Sequence, residues 1–86
     1  MTPTRERELN ALADLATRAV TDPDAHVLLV EAWSGADRYD RAHNVSILRN
    51  RVIIAEVVAK YGYTPSPDCA AAPDALALLL HLEGTP

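Results

Sequence analysis

Proline and glycine cut this chain into four stretches, and that punctuation constrains the fold more than any motif does. Three glycines stand at 35, 62 and 84, and prolines lead or interrupt at 3, 23, 65, 67 and 73. The stretches between them are long enough for several helical turns and carry apolar residues at helical spacing. An all-α fold follows: a compact bundle of about four helices, at approximately 4–21, 23–33, 37–61 and 73–83, with a long central third helix. The competing reading is α+β, with strands near 26–33 and 51–59. Both segments hold β-branched residues, and the first is too short for periodicity to decide.

The first stretch has Thr2 or Thr4 as cap and Pro3 in the first turn. Leu9, Leu12, Ala16, Ala19 and Val20 share a stripe, and Asp14 and Arg18 form an i,i+4 pair. Asp22-Pro23-Asp24 is a helix start signal: a capping carboxylate, a proline at the first position and an acid in the first turn. Ser34-Gly35 breaks the second stretch. The third runs to Tyr61, and Gly62 supplies a left-handed stop. From Val52 to Ala59 only Glu56 is polar, so this stretch reads as the most buried part of the bundle. Ile54→Asp is accordingly expected to unfold the domain. Residues 63–72, with Pro65 and Pro67, read as a linker, and Pro73-Asp74 as the start of a last, almost wholly apolar helix.

Length and charge exclude several classes. At 86 residues the chain is read as a single domain, 1–86, in which folding buries roughly 60–65% of the accessible surface of the unfolded chain. A hydrophobic share of 49% is too high for a disordered tail. No apolar run approaches the roughly 18–20 residues that cross a bilayer, so no membrane association is expected. The start of the chain lacks a basic segment followed by an apolar one, and Cys69 is the one cysteine. Both suggest a cytoplasmic protein. Seven arginines against one lysine, and abundant alanine, fit a bacterial or phage accessory protein. The net charge of -4 divides into acidic ends and a slightly basic middle. Residues 34–62 hold five basic and three acidic side chains.

Candidate chemistry is sparse. Arg51 falls inside an apolar arc with Ile47, Ile54 and Val58, and a buried guanidinium needs a partner. It is read as an internal salt bridge to Glu31 or Asp14, as a contact to another chain, or as a sign that the helix bends near Asn44. Asp40 and His43, at i,i+3, resemble half of a carboxylate metal site; a surface hydrogen bond is the simpler reading. Cys69 has no arginine or lysine after Lys60 in the sequence to activate it as a nucleophile. Ser34-Gly35 lacks the first glycine of a nucleophile turn, and three glycines cannot build a phosphate-binding loop. No catalytic, cofactor-binding or metal residue is assigned, and no cofactor is expected.

Two binding readings remain. The 34–51 region has the outline of a helix-turn-helix with Arg38, Arg41 and Arg49 available to DNA. Asp37 and Asp40 in the same turn and a sequence pI near 5.1 argue against nucleic acid. Protein association is favoured, because 52–59 and 75–82 offer more apolar surface than a small domain can cover. The residues expected to mediate it are Trp33, Arg38, Tyr39, Arg41, Arg51, Leu78 and Leu82, since Trp, Tyr and Arg are enriched at interface hot spots. Trp33 is alternatively a core plug. The expected function is a non-enzymatic protein–protein interaction module: a small adaptor, inhibitor or regulatory subunit that self-associates or docks on a larger protein. The alternatives are a small DNA-binding regulator and a small enzyme or ligand-binding subunit with a site shared between chains.

Overall fold

In the computed structural model, described over residues 9–84, local capping chemistry sets where most helices begin. Helix α1 spans Ala11–Ala19, α2 Pro23–Gly35, α3 Arg38–Lys60 and α4 Pro67–Glu83. The proposed capping of the first helix at Thr2 or Thr4 lies outside the described residues. At α2, Asp22 caps as its sequence signal implies, its carboxylate accepting from the Asp24 N–H at 3.0 Å. At α3, Asp37 accepts from the Asp40 N–H at 2.8 Å. Gly62, at φ 84°, closes α3. Its N–H donates to the Ala59 carbonyl at 3.0 Å, and the Tyr63 N–H reaches the Val58 carbonyl at 3.1 Å. This paired arrangement satisfies carbonyls that the last turn would leave open.

The segments weighed as strands, 26–33 and 51–59, are helical, and no strand occurs among the described residues. Two boundaries differ from the expectation. The first helix, expected to run unbroken over 4–21, has a turn at Asn10, and α1 begins after it at Ala11. The stretch read as a linker to 72 is already helix from Pro67. Ser66-Pro67-Asp68 carries the same cap–proline–acid signature as Asp22-Pro23-Asp24, and Ser66 Oγ accepts from the Cys69 N–H at 3.4 Å. Pro73 therefore sits inside α4. There it removes one N–H from the helix ladder, on an exposed position.

Burial centres on α1, which packs against all three other helices. Its Ala13 and Ala16 are fully buried, and side chains that small let neighbouring backbones come close. Leu12, Leu29, Trp33, Leu48, Ala75 and Leu79 complete the core around them. Helix α2 leans mainly on α1 and buries one narrow stripe, Ala25, Leu29 and Trp33. Helices α3 and α4 form a hairpin.

The stretch expected to be most deeply buried is not. Ile53 is 56% exposed, Ile54 50% and Val57 47%. The reason is length. With 23 residues, α3 is about 34 Å long, whereas α1, with 9 residues, extends about 14 Å. The short helix covers only part of the long one, and beyond it, among the described residues, α3 has α4 as its one substantial neighbour. The buried residues of α3 are Asn44 and Leu48, both in its first half.

This placement reverses the expectation for Ile54. Ile54→Asp puts a charge on a half-exposed position and is expected to shift stability by less than about 1 kcal/mol. Leu48→Ala removes a fully buried side chain and is expected to cost about 2–5 kcal/mol. Urea denaturation of the two variants side by side distinguishes the two placements of the core.

Candidate functional site

Helix α3 has two faces with different tasks. At about 100° per residue, Asn44, Leu48, Arg51, Ala55 and Val58 lie on one side and are buried or half-buried. Ser46, Asn50, Ile53, Val57 and Tyr61 lie opposite and are exposed.

The inward face carries the polar groups that join α3 to α1. Asn44 is almost wholly buried. Its Oδ1 accepts from the Ala13 N–H at 2.9 Å, and its Nδ2 donates to the carbonyls of Leu9 at 3.1 Å and Asp40 at 2.7 Å. Ala13 is at the third position of α1, where an N-cap side chain ordinarily bonds. Asn10, the residue at the cap, makes no such bond. Its Oδ1 instead meets His43 Nε2 at 3.0 Å. An asparagine from another helix thus performs the capping. The Asp40–His43 pair singled out for its spacing serves this same junction: His43 bonds Asn10, and Asp40 lends its carbonyl to Asn44.

Arg51 forms the internal salt bridge, with Asp14, at 3.2 Å from Nη2 to Oδ1. The arginine side chain is 19% exposed and the aspartate 51%. Asp14 was also expected to pair with Arg18, but Arg51 takes it. The other terminal nitrogen, Nη1, is buried without a hydrogen-bond partner, so the pair is only partly compensated for its burial.

The remaining residues expected at an interface divide in two. Trp33 is a core residue. Arg41 is tied to it: Nε donates to the Trp33 carbonyl at 3.0 Å, and the guanidinium lies 5.1 Å from the centre of the indole ring. A cation on the last carbonyls of a helix also opposes the helix dipole. Leu78 and Leu82 are half-buried against the core. Arg38 and Tyr39 are the exposed members, stacked on one another at 5.3 Å.

The exposed apolar residues of the second half of α3 are Ile53, Ile54 and Val57, with Tyr61 and Tyr63 at the hairpin tip. The sequence names the 52–59 segment as surplus apolar surface without naming these residues, and its two-sided apolar pattern signals them: a helix apolar all round has one face too many for a single neighbour. Beside Ile53 a shallow hollow of about 270 Å³ opens between α3 and α4, with Val52 and Leu76 as further lining and Arg49 and Glu56 also at its wall. Val27, Leu28 and Val30 on α2 and Leu80 on α4 are exposed as well.

Among the described residues, no three His, Cys, Asp or Glu side chains come close enough to hold a metal ion. The Ser34 hydroxyl donates to the Val30 carbonyl of its own helix at 3.0 Å. No described helix is long and apolar enough to cross a membrane. No protein-family model matches the chain, and neither does any curated sequence or solved structure.

Two substitutions separate the capping bond from the ion pair. Asn44→Leu leaves the Ala13 N–H and the Leu9 carbonyl without their partner and is expected to cost about 2–4 kcal/mol. Arg51→Met keeps the packing of the stem and leaves Asp14 in contact with water. It is expected to change stability by less than about 1 kcal/mol. Denaturant midpoints of both variants check the contrast.

Proposed function

We propose that the protein is a non-enzymatic interaction module, a small adaptor, inhibitor or regulatory subunit, that binds protein through the outer face of the second half of α3. One observation carries this reading. Ile53, Ile54 and Val57 form a contiguous apolar stripe in water, while the opposite face of the same helix is already spent on α1 and α4. Contiguous exposed apolar surface on a small domain marks an interface more often than scattered exposed residues do. Tyr61 and Tyr63 extend the stripe with the amphipathic residue type that interfaces favour.

The site acts by excluding water, and its specificity comes from the charged residues at its edges, Arg49, Glu56 and Lys60. Of the residues first expected to mediate contacts, Arg38 and Tyr39 retain the exposure that a contact needs. Arg41 and Arg51 contribute by holding the scaffold. In this reading the protein works inside the cell, bound to another polypeptide.

A photo-reactive amino acid introduced at Val57 tests the proposal, with the same group at exposed Asp24 on α2 as control. Irradiation of cells producing the protein is expected to give a protein adduct from position 57 and none from position 24. No adduct from 57, or equal adducts from both, overturns the assignment of this face.

A further inference from the structure

We infer that the occupant of the outer α3 face is a second copy of this chain, docked antiparallel across a two-fold axis near Ile53. The inference rests on the reading of that face as an interface and adds which partner covers it.

The argument is one of charge. Arg49 and Glu56 are both exposed and stand seven residues apart on one edge of the stripe, nearly two helical turns and about 10 Å along the axis. That distance is too great for them to pair with each other. Neither has an ion-pair partner within the chain among the described residues. Ile53 lies between them along the helix. A two-fold axis perpendicular to α3 near this point exchanges the two ends of the edge. It brings Arg49 to the partner's Glu56 and Glu56 to the partner's Arg49, so one contact creates two ion pairs. Such reciprocity defines an isologous interface. Parallel docking in register fails, because it sets this edge of each copy against the other edge of its partner, which carries Asn50 and Ile54 and no charge, and leaves Arg49 and Glu56 unpaired.

The apolar and small residues agree with the same placement. With Arg49 opposite the partner's Glu56, Val57 of each copy passes over the small Ser46 of the other. Ile53 of each copy lies near the axis, against the other's Asn50. The hollow between α3 and α4, lined by Arg49, Val52, Ile53, Glu56 and Leu76, borders this contact and is open to the approaching helix. The footprint is essentially one helix face, smaller than the roughly 800 Å² per partner of a standard interface. The dimer is therefore weak, with a dissociation constant of about 10–100 µM.

Sedimentation equilibrium of the full chain from about 1 µM to about 1 mM reads the association. The mass is expected to rise from 9.3 kDa towards twice that value. Arg49→Glu alone and Glu56→Arg alone are each expected to weaken the dimer at least about tenfold, since like charges then face each other. The double variant restores opposite charges with the positions exchanged and is expected to return to within about threefold of the original, a recovery that general damage to the helix would not produce. Circular dichroism confirms that the variants, all at exposed positions, stay helical.

A monomer at every concentration overturns the inference. So does a dimer that the single substitutions leave intact, or one that the double variant fails to restore. The photo-adduct from Val57 keeps the two readings apart. An adduct with a different protein, together with a monomeric chain, overturns self-association and leaves the interaction face standing. The absence of any adduct overturns both.

Discussion

A single buried carboxamide holds the architecture together. Asn44 of α3 caps α1 from outside, taking the Ala13 N–H and returning hydrogen bonds to the Leu9 and Asp40 carbonyls. A helix of 9 residues is too short to be stable alone in water. It persists here because it is enclosed on three sides and because a neighbour supplies one of its missing N-terminal partners. In a low-dielectric interior such a bond is strong, and its loss leaves groups that water cannot reach. The bond also fixes the axial position of α3 against α1, which in turn decides how much of α3 extends past the end of the bundle.

That extension is the functional consequence. Helix α1 reaches Leu48 and, through Asp14, Arg51. Past that level α3 and α4 continue as a two-helix hairpin, and two helices can each bury only the stripe that faces the other. Apolar residues on the outer side of α3 are left in water. The same residues that make 52–59 look like a core in sequence become an exposed surface, because no third helix among the described residues lies alongside them. Trp33 shows the opposite case. An amphipathic aromatic of a type common at interfaces is enclosed, with Arg41 laid across its ring and bonded to its carbonyl.

Much of this was legible residue by residue. The Asp22-Pro23-Asp24 signal marks the start of α2, and Gly62 marks the end of α3, since both are governed by bonds within a few residues. The start of α4 was harder. A complete cap–proline–acid signature at Ser66-Pro67-Asp68 competes with a proline–acid pair at Pro73-Asp74, which Ala72 cannot cap, and the complete one prevails. Asp14 stood among the partners considered for Arg51, because a guanidinium in an apolar arc must find a carboxylate nearby. The choice between Asp14, Glu31 and another chain needed the packing. Asn44 gave little local sign of its role. Its partners Leu9 and Ala13 lie more than 30 positions away, and no helical periodicity encodes a contact at that distance.

The sequence by itself left helix or strand open at 26–33 and 51–59, but determined most of the element termini and the residues too polar or too apolar to be indifferent to their surroundings. These follow from capping, proline and glycine geometry and periodicity, all of which act within a turn or two. Only the tertiary structure decided which apolar face is core and which is surface. Burial depends on what lies alongside, and that is set by the unequal lengths of α1 and α3 and by the Asn44 bond that aligns them.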